Sequence, residues 1–206
     1  RHTLDPRPDS ETMIDFIKEF EKKNKKEKVK ILDLGTGTGC LIISLVLELK
    51  TKKVEGVGVD IDCEAVKIAK KNVLKFGLQK KIKIFTSDWF SNVDKKFDII
   101  VSNPPYIKTD QIKLLDKSVK NFDPTISIDG GKDGLESYRA ISNLADFFLK
   151  ENGYICFELG LNQKRCVESI FSSKAFDSSL LKRDLAKKER IIVFKKKLKK
   201  KNDMLG

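Results

Sequence analysis

The chain has 206 residues, with 42 Lys and Arg against 30 Asp and Glu, a formal net charge of +12 at pH 7. That length holds one α/β domain with a substantial core and little beside it. Four cysteines without CxxC spacing and a single histidine, His2 at a terminus expected to fray, argue against a structural zinc site and against Cys–His nucleophilic chemistry.

The charge is unevenly spread. Lys195–Gly206 carries six lysines against one aspartate, a net +5, which leaves +7 for the rest. A basic surface favours acidic or nucleic-acid partners, although a solvated tail and Lys-rich helix faces account for the same excess. Leu34–Leu47, the longest uncharged apolar run, is interrupted by glycines and too short to cross a bilayer. No membrane association is expected. Thiols spaced like these are expected to stay reduced in the cytoplasm. Arg1 in place of Met hints at truncation, so targeting is left open by these residues.

Leu4–Pro8 reads as an extended lead-in, and Asp9 or Ser10 as the cap of a helix with Met13, Ile17 and Phe20 at helical spacing. The Lys/Glu run Glu21–Lys28 separates it from a strand at Val29–Leu34. Helix Leu41–Lys50, strand Val54–Asp60, helix Asp62–Phe76 and strands Ile82–Phe85 and Phe97–Ser102 follow. A long irregular stretch runs to about Gly134. Helix Leu135–Lys150, strand Tyr154–Glu158 and helix Leu161–Ser172 come next, then strands near Leu180–Leu185 and Arg190–Phe194 joined by a polar turn. Alternating elements predict a mostly parallel seven-stranded sheet with helices on both faces. The last two strands, with no helix between them, predict a terminal antiparallel hairpin. The expected domain covers residues 1–194, with 195–206 a Lys-rich tail or a linker to a further domain.

Asp33-Leu34-Gly35-Thr36-Gly37-Thr38-Gly39 lies where the first strand meets a helix. Glycines there permit positive φ and let a ligand press on bare backbone. A dinucleotide fingerprint needs glycine at the first, third and sixth positions. Here the sixth is Cys40, and glycine takes the fifth. Gly-x-Gly-x-Gly behind an acid resembles motif I of the S-adenosylmethionine enzymes. That resemblance implies a loop of Gly35, Thr36, Gly37, Thr38 and Gly39 around the methionine moiety, with Asp33 facing its amino group. Asp60 ends the second strand, placed to accept hydrogen bonds from ribose hydroxyls. Asp62 is expected to cap the next helix. Asp88 can accept an adenine amino group, and Trp89 either packs on the purine plane or fills the core.

Asn103-Pro104-Pro105-Tyr106 follows the fourth strand, which should face the glycine loop across the topological switch. A stiff turn after a strand explains the prolines alone. The motif also resembles the signature of methyltransferases acting on planar, conjugated nitrogens, adenine N6 and glutamine amide N5. Such nitrogens are weak nucleophiles, and the Asn103 side-chain carbonyl with the Pro104 backbone carbonyl can accept both amide hydrogens and aim the nitrogen. Tyr106 would pack over the planar acceptor.

With Ser102–Ile107, the stretches Thr3–Glu11, Asp129–Arg139 and Gly153–Gly160 continuing to Gln163 extend the likeness. From about Thr3 to Phe194 the chain resembles the protein-(glutamine-N5) methyltransferases that modify peptide-chain release factors. The resemblance implies a Rossmann-like class I methyltransferase fold. It implies S-adenosylmethionine as donor, leaving as S-adenosylhomocysteine, and a cytoplasmic role in translation termination. It gives the glutamine of the Gly-Gly-Gln loop of bacterial class I release factors as acceptor. By it, the Gly35–Gly39 loop, Asp60, Trp89 and Asn103 serve the cofactor. Asn103, Pro104, Pro105 and Tyr106 bind the glutamine, with Asn103, Pro104 and Tyr106 catalytic. Two features depart from the family. Its small amino-terminal helical domain does not occur within these residues, and the chain runs on into a Lys-rich tail that could begin a linker of the kind that joins some relatives to a tRNA methyltransferase domain. The rival reading is an N-methyltransferase of tRNA, rRNA or DNA bases. Basicity favours it and predicts steep salt dependence. Against it, no second domain is large enough to read DNA, and base flipping would demand extra aromatic and basic elements around the pocket, for which the tail alone is inadequate. Cys40 argues against a dinucleotide-binding or scaffolding role. No metal is expected, and a monomer is favoured.

Overall fold

The computed structural model describes residues 9–23, 27–49, 53–114, 125–183 and 188–197. In chain order the elements are α1 (Asp9–Lys23), β1 (Lys28–Leu34), α2 (Cys40–Glu48), β2 (Lys53–Asp60), α3 (Cys63–Lys75), β3 (Ile82–Thr86), β4 (Phe97–Ser102), α4 (Thr109–Ile112), α5 (Thr125–Ile128), α6 (Glu136–Ser142), α7 (Ala145–Phe148), β5 (Leu149–Glu158), α8 (Lys164–Ser172), β6 (Phe176–Arg183) and β7 (Glu189–Lys196). The seven strands form one sheet in the order β3-β2-β1-β4-β5-β7-β6. β7 runs antiparallel to both β5 and β6, and the other pairings are parallel. The predicted fold class is the one found.

Side-chain alternation along the strands divides the core into two layers. Ile31, Ile99, Val101, Cys156 and Val193 face one way and pack under α1, α2 and α3, against Met13, Ile17, Leu45 and Ala69. Leu32, Ile100, Ile155, Phe157 and Phe194 face the other way, under α6, α7 and α8, against Tyr138, Ile141, Val167 and Phe171. Both faces of the central strands are buried, as parallel strands flanked by helices require. The second layer is anchored by aromatic stacking, with Phe171 and Phe194 rings 4.5 Å apart and Phe176 edge-on to Phe171 at 5.4 Å. α1 docks through a buried hydrogen bond, in which the Tyr154 hydroxyl donates to Glu21 Oε1 at 3.0 Å.

Several boundaries differ from the sequence reading. The helix expected over Leu135–Lys150 is two short helices, and β5 begins at Leu149. Leu149 pairs with Phe97, and the register then shifts, so that Ile99 faces Tyr154. The extra residues bulge out at Asn152, which takes φ 59°. Buried Lys196 reaches the freed end of α7, donating to the carbonyls of Asp146 (2.7 Å) and Leu149 (3.0 Å). α8 starts at Lys164 and not at Leu161, because Asn162 is left-handed at φ 63°. The irregular stretch before Gly134 contains α4 and α5. β6 starts earlier than expected, at Phe176, and β7 continues past Phe194 through Lys196. The lead-in Leu4–Pro8, the turn at 184–187 and the tail at 198–206 lie outside the described residues. Among those described, no helix is long and apolar enough to cross a membrane.

Candidate active site

Strand register brings the candidate residues into one row. Leu34 pairs with Val59 on one side and with Ser102 on the other. The next residues along the three strands are therefore Gly35, Asp60 and Asn103, side by side at the carboxyl edge. β1 is where the chain turns outward in both directions, the place where open α/β sheets bind ligands. The Ser102 hydroxyl donates to Leu34 O at 2.8 Å and fastens β4 to β1 at the last residue before both loops.

Gly35, Gly37 and Gly39 all take positive φ (70°, 54° and 78°), a backbone other residues adopt only with strain. The loop is fixed from below and from the side. The Thr36 hydroxyl donates to Asp33 Oδ2 at 2.6 Å, Thr36 N to Val59 O at 2.9 Å, and Gly37 N to Asp60 Oδ2 at 2.8 Å. Two residues that sequence reasoning missed complete it. Asn72 of α3 donates to Thr38 O at 2.9 Å. Gly58 leaves room for Thr36, whose Oγ1 lies 2.7 Å from where a Cβ at 58 would stand. A glycine inside a strand is the signal that marked such a close approach.

The two acids differ in setting. Asp33 is 1% exposed, and burial raises its carboxyl from 3.8 to about 7 against the opposing Thr36 hydrogen bond. It sits beneath the loop, not on its surface. Asp60 is half-buried, and burial raises its carboxyl too, against hydrogen bonds from the amides of Asp62, Gly37 and Ile61. Asp62 accepts from Glu64 N at 2.8 Å and caps α3, the role expected for it. Beyond β3, Ser87 N donates to Asp60 O at 2.9 Å, which carries the turn with exposed Asp88 and half-buried Trp89 back beside the row. Trp89 takes φ 43°, and its Cζ3 lies 3.9 Å from where a Cβ at Gly35 would stand. The ring thus borders the glycine loop, and Trp89 also packs against the second core layer.

Asn103, Pro105 and Tyr106 are half-buried, and Pro104 is buried. Behind them stands the Asp129–Gly134 turn. Ile107 N donates to Ile128 O (3.0 Å) and Gly130 N to Ile107 O (2.8 Å). A Cβ at Gly130 would lie 2.8 Å from Tyr106 Cα, and one at Gly134 2.5 Å from Tyr106 O, so only glycine fits against this backbone. Asp133 braces the turn, held down to about 2 by the Arg139 guanidinium. Gln163, to which sequence reasoning gave no role, donates to Tyr106 O at 2.9 Å.

A donor that is a sulfonium nucleoside whose amino acid end carries an ammonium group fits these residues. Left-handed glycines expose backbone, nothing lies within 4 Å of where a Cβ at Gly37 would stand, and two carboxyls raised by burial sit under and beside the loop. Both would be relieved by a nearby positive charge.

Residues 8–122 match the methyltransferase small domain. Over 196 residues the chain is 40% identical to the release factor glutamine methyltransferase of Agrobacterium fabrum strain C58, covering 95% of this chain and 68% of that protein. The chain belongs to the release factor glutamine methyltransferase family. A bifunctional methyltransferase from Rickettsia felis is also 40% identical, over 64% of this chain but only 25% of its own length. The chain thus spans from a quarter to about two thirds of these relatives. A solved methyltransferase from Pyrococcus furiosus shares the fold, with TM-score 0.64 at 17% identity, covering 90% of this chain and 83% of that one. The cofactor that goes with this methyltransferase family is S-adenosylmethionine. Cys40, where a dinucleotide loop needs glycine, agrees with that assignment.

Proposed function

We propose that this chain transfers a methyl group to the side-chain amide N5 of the glutamine in the Gly-Gly-Gln loop of a bacterial class I release factor. The observation that carries the reading is the Leu34–Ser102 register, which sets Asn103 directly beside the glycine loop. S-adenosylmethionine supplies, when bound, a methyl carbon made electrophilic by its sulfonium.

The chain's own residues then bind and aim. The Gly35–Gly39 loop takes the methionine end, Asp60 accepts from the ribose hydroxyls, and Trp89 and Asp88 serve the purine. The Asn103 side-chain carbonyl and the Pro104 backbone carbonyl accept the two amide hydrogens of the glutamine. Pro104 lacks an N–H of its own, so its carbonyl sits in a stretch without a competing donor. Orientation of this kind lowers a barrier by up to ~7–11 kcal/mol in ideal cases. The same two dipoles stabilise positive charge growing on nitrogen as the sulfur–methyl bond breaks, and loss of one amide proton to water discharges it, leaving neutral S-adenosylhomocysteine and the methylated amide. Tyr106 covers the planar amide. Four cysteines free of disulfides suit a cytoplasmic enzyme of translation termination.

The test is incubation with tritiated donor and, in parallel, a class I release factor, tRNA and duplex DNA. Label should enter the release factor and be lost when its Gly-Gly-Gln glutamine is replaced by alanine. Labelled tRNA or DNA beside an unlabelled release factor would give the site to a nucleic-acid base instead.

A further inference from the structure

Gln163 has no part in the donor and acceptor contacts proposed above, yet its side chain joins three segments of the site. Nε2 donates to Tyr106 O at 2.9 Å and to Gly134 O at 3.0 Å, and Oε1 accepts from Gly160 N at 3.1 Å. Its backbone stands at the start of α8, where its carbonyl accepts from Val167 N at 3.0 Å. The packing around the amide is close. A Cβ at Gly160 would lie 2.5 Å from Gln163 Oε1 and 2.8 Å from Tyr106 Cδ2, and one at Gly134 2.8 Å from Gln163 Nε2.

We propose that Gln163 is a positioning residue for methyl transfer, holding the Tyr106 carbonyl, and through it the backbone from Asn103 onward, in the orientation that offers the Asn103 and Pro104 oxygens to the acceptor. This rests on the acceptor roles proposed for those two residues. The chemistry explains the residue type. Two donors and one acceptor are needed from a single planar group, and a primary amide supplies them. Asparagine is one methylene shorter. An ionised glutamate offers acceptors only and would set a charge against two carbonyl oxygens. Lysine would leave Gly160 N without its acceptor.

Those alternatives define the experiment. Gln163→Glu loses both donors when ionised and regains one when protonated, while Gln163→Met stays neutral and regains nothing. Two readouts are taken on the full chain, namely hydrogen exchange over residues 103–112 without donor, and single-turnover transfer to a release factor with donor affinity measured by calorimetry. At neutral pH Gln163→Glu should exchange on the order of tenfold faster over 103–112 and transfer on the order of tenfold more slowly, with donor Kd within about threefold of wild type. Lowering the pH should bring Gln163→Glu back toward wild type in both readouts and leave Gln163→Met where it was. Unchanged exchange over 103–112 in both variants overturns the proposal. So does transfer lost only in proportion to donor affinity, or a variant-to-wild-type ratio that ignores pH. A wild-type chain that labels no release factor refutes the acceptor assignment instead, and the exchange arm still decides whether Gln163 holds the loop.

Discussion

Asp33 and Asp60 both hold the glycine loop, but Asp33 is buried and Asp60 half-buried, and the difference is testable. The folded pKa of Asp33 is raised from 3.8 to about 7, chiefly by burial. Between those values the unfolded chain ionises while the folded one stays protonated, so donor-free stability should fall as pH rises through that window, by an amount on the order of a few kcal/mol. Asp33→Asn should flatten this slope relative to wild type in urea unfolding at acid and neutral pH, and an identical slope in both proteins would remove Asp33 from the account. Asp60→Ala should weaken donor binding by about tenfold or more, through loss of the proposed ribose contact. Asn103→Ala should instead reduce turnover by roughly 100-fold or more with much of the donor affinity kept, since it removes the proposed acceptor clamp. Calorimetry and single-turnover rates separate the two, and the reverse pattern would mean the roles are exchanged. Asp60, Asn103 and the glycines were legible because each lies at a strand end, in a pattern a few residues long. Gln163, Gly58 and Asn72 were not, because Tyr106, Gly134, Thr36 and Thr38, against which they act, lie 22 to 57 residues away and only the folded chain brings them together.

At the scale of elements, the second core layer depends on α8 more than on any turn. Phe171 stacks on Phe194 and lies edge-on or tilted to Phe176 and Phe157, which ties α8 to β5, β6 and β7 at once. Phe171→Ala should cost about 3–5 kcal/mol of unfolding free energy, with the cavity adding to the lost transfer term. Chemical denaturation measures it, and a loss below about 1 kcal/mol would show that the layer relaxes around the gap. β4 was readable to the residue, because six consecutive buried positions admit a central parallel strand. The helix expected over Leu135–Lys150 failed for a non-local reason. Leu149 and Lys150 carry helical spacing, but Phe97 claims Leu149 for the sheet, and Lys150 Nζ reaches Asp98 at 2.6 Å. The turn Asp129–Gly134 lacks periodicity because Gly130 and Gly134, pressed against the Tyr106 backbone, shape it.

Across the whole molecule, the fold and the site are one consequence of strand order. Placing β1 between β2 and β4 lines up the ends of three strands, and the antiparallel β7 enters between β5 and β6, away from that row. The family follows from similarity over 95% of the chain, whereas the acceptor is a matter of chemistry at one strand end. A charge of +12 does not by itself decide between protein and nucleic acid, since Lys195–Gly206 alone contributes +5 of it. The acceptor is therefore best read from the product. Fragment mass spectra of a class I release factor incubated with this chain and S-adenosylmethionine should show the mass of one methylene gained on the glutamine of Gly-Gly-Gln and nowhere else. A glutamine left unmodified by a chain that methylates a nucleobase in the same mixture would contradict the account.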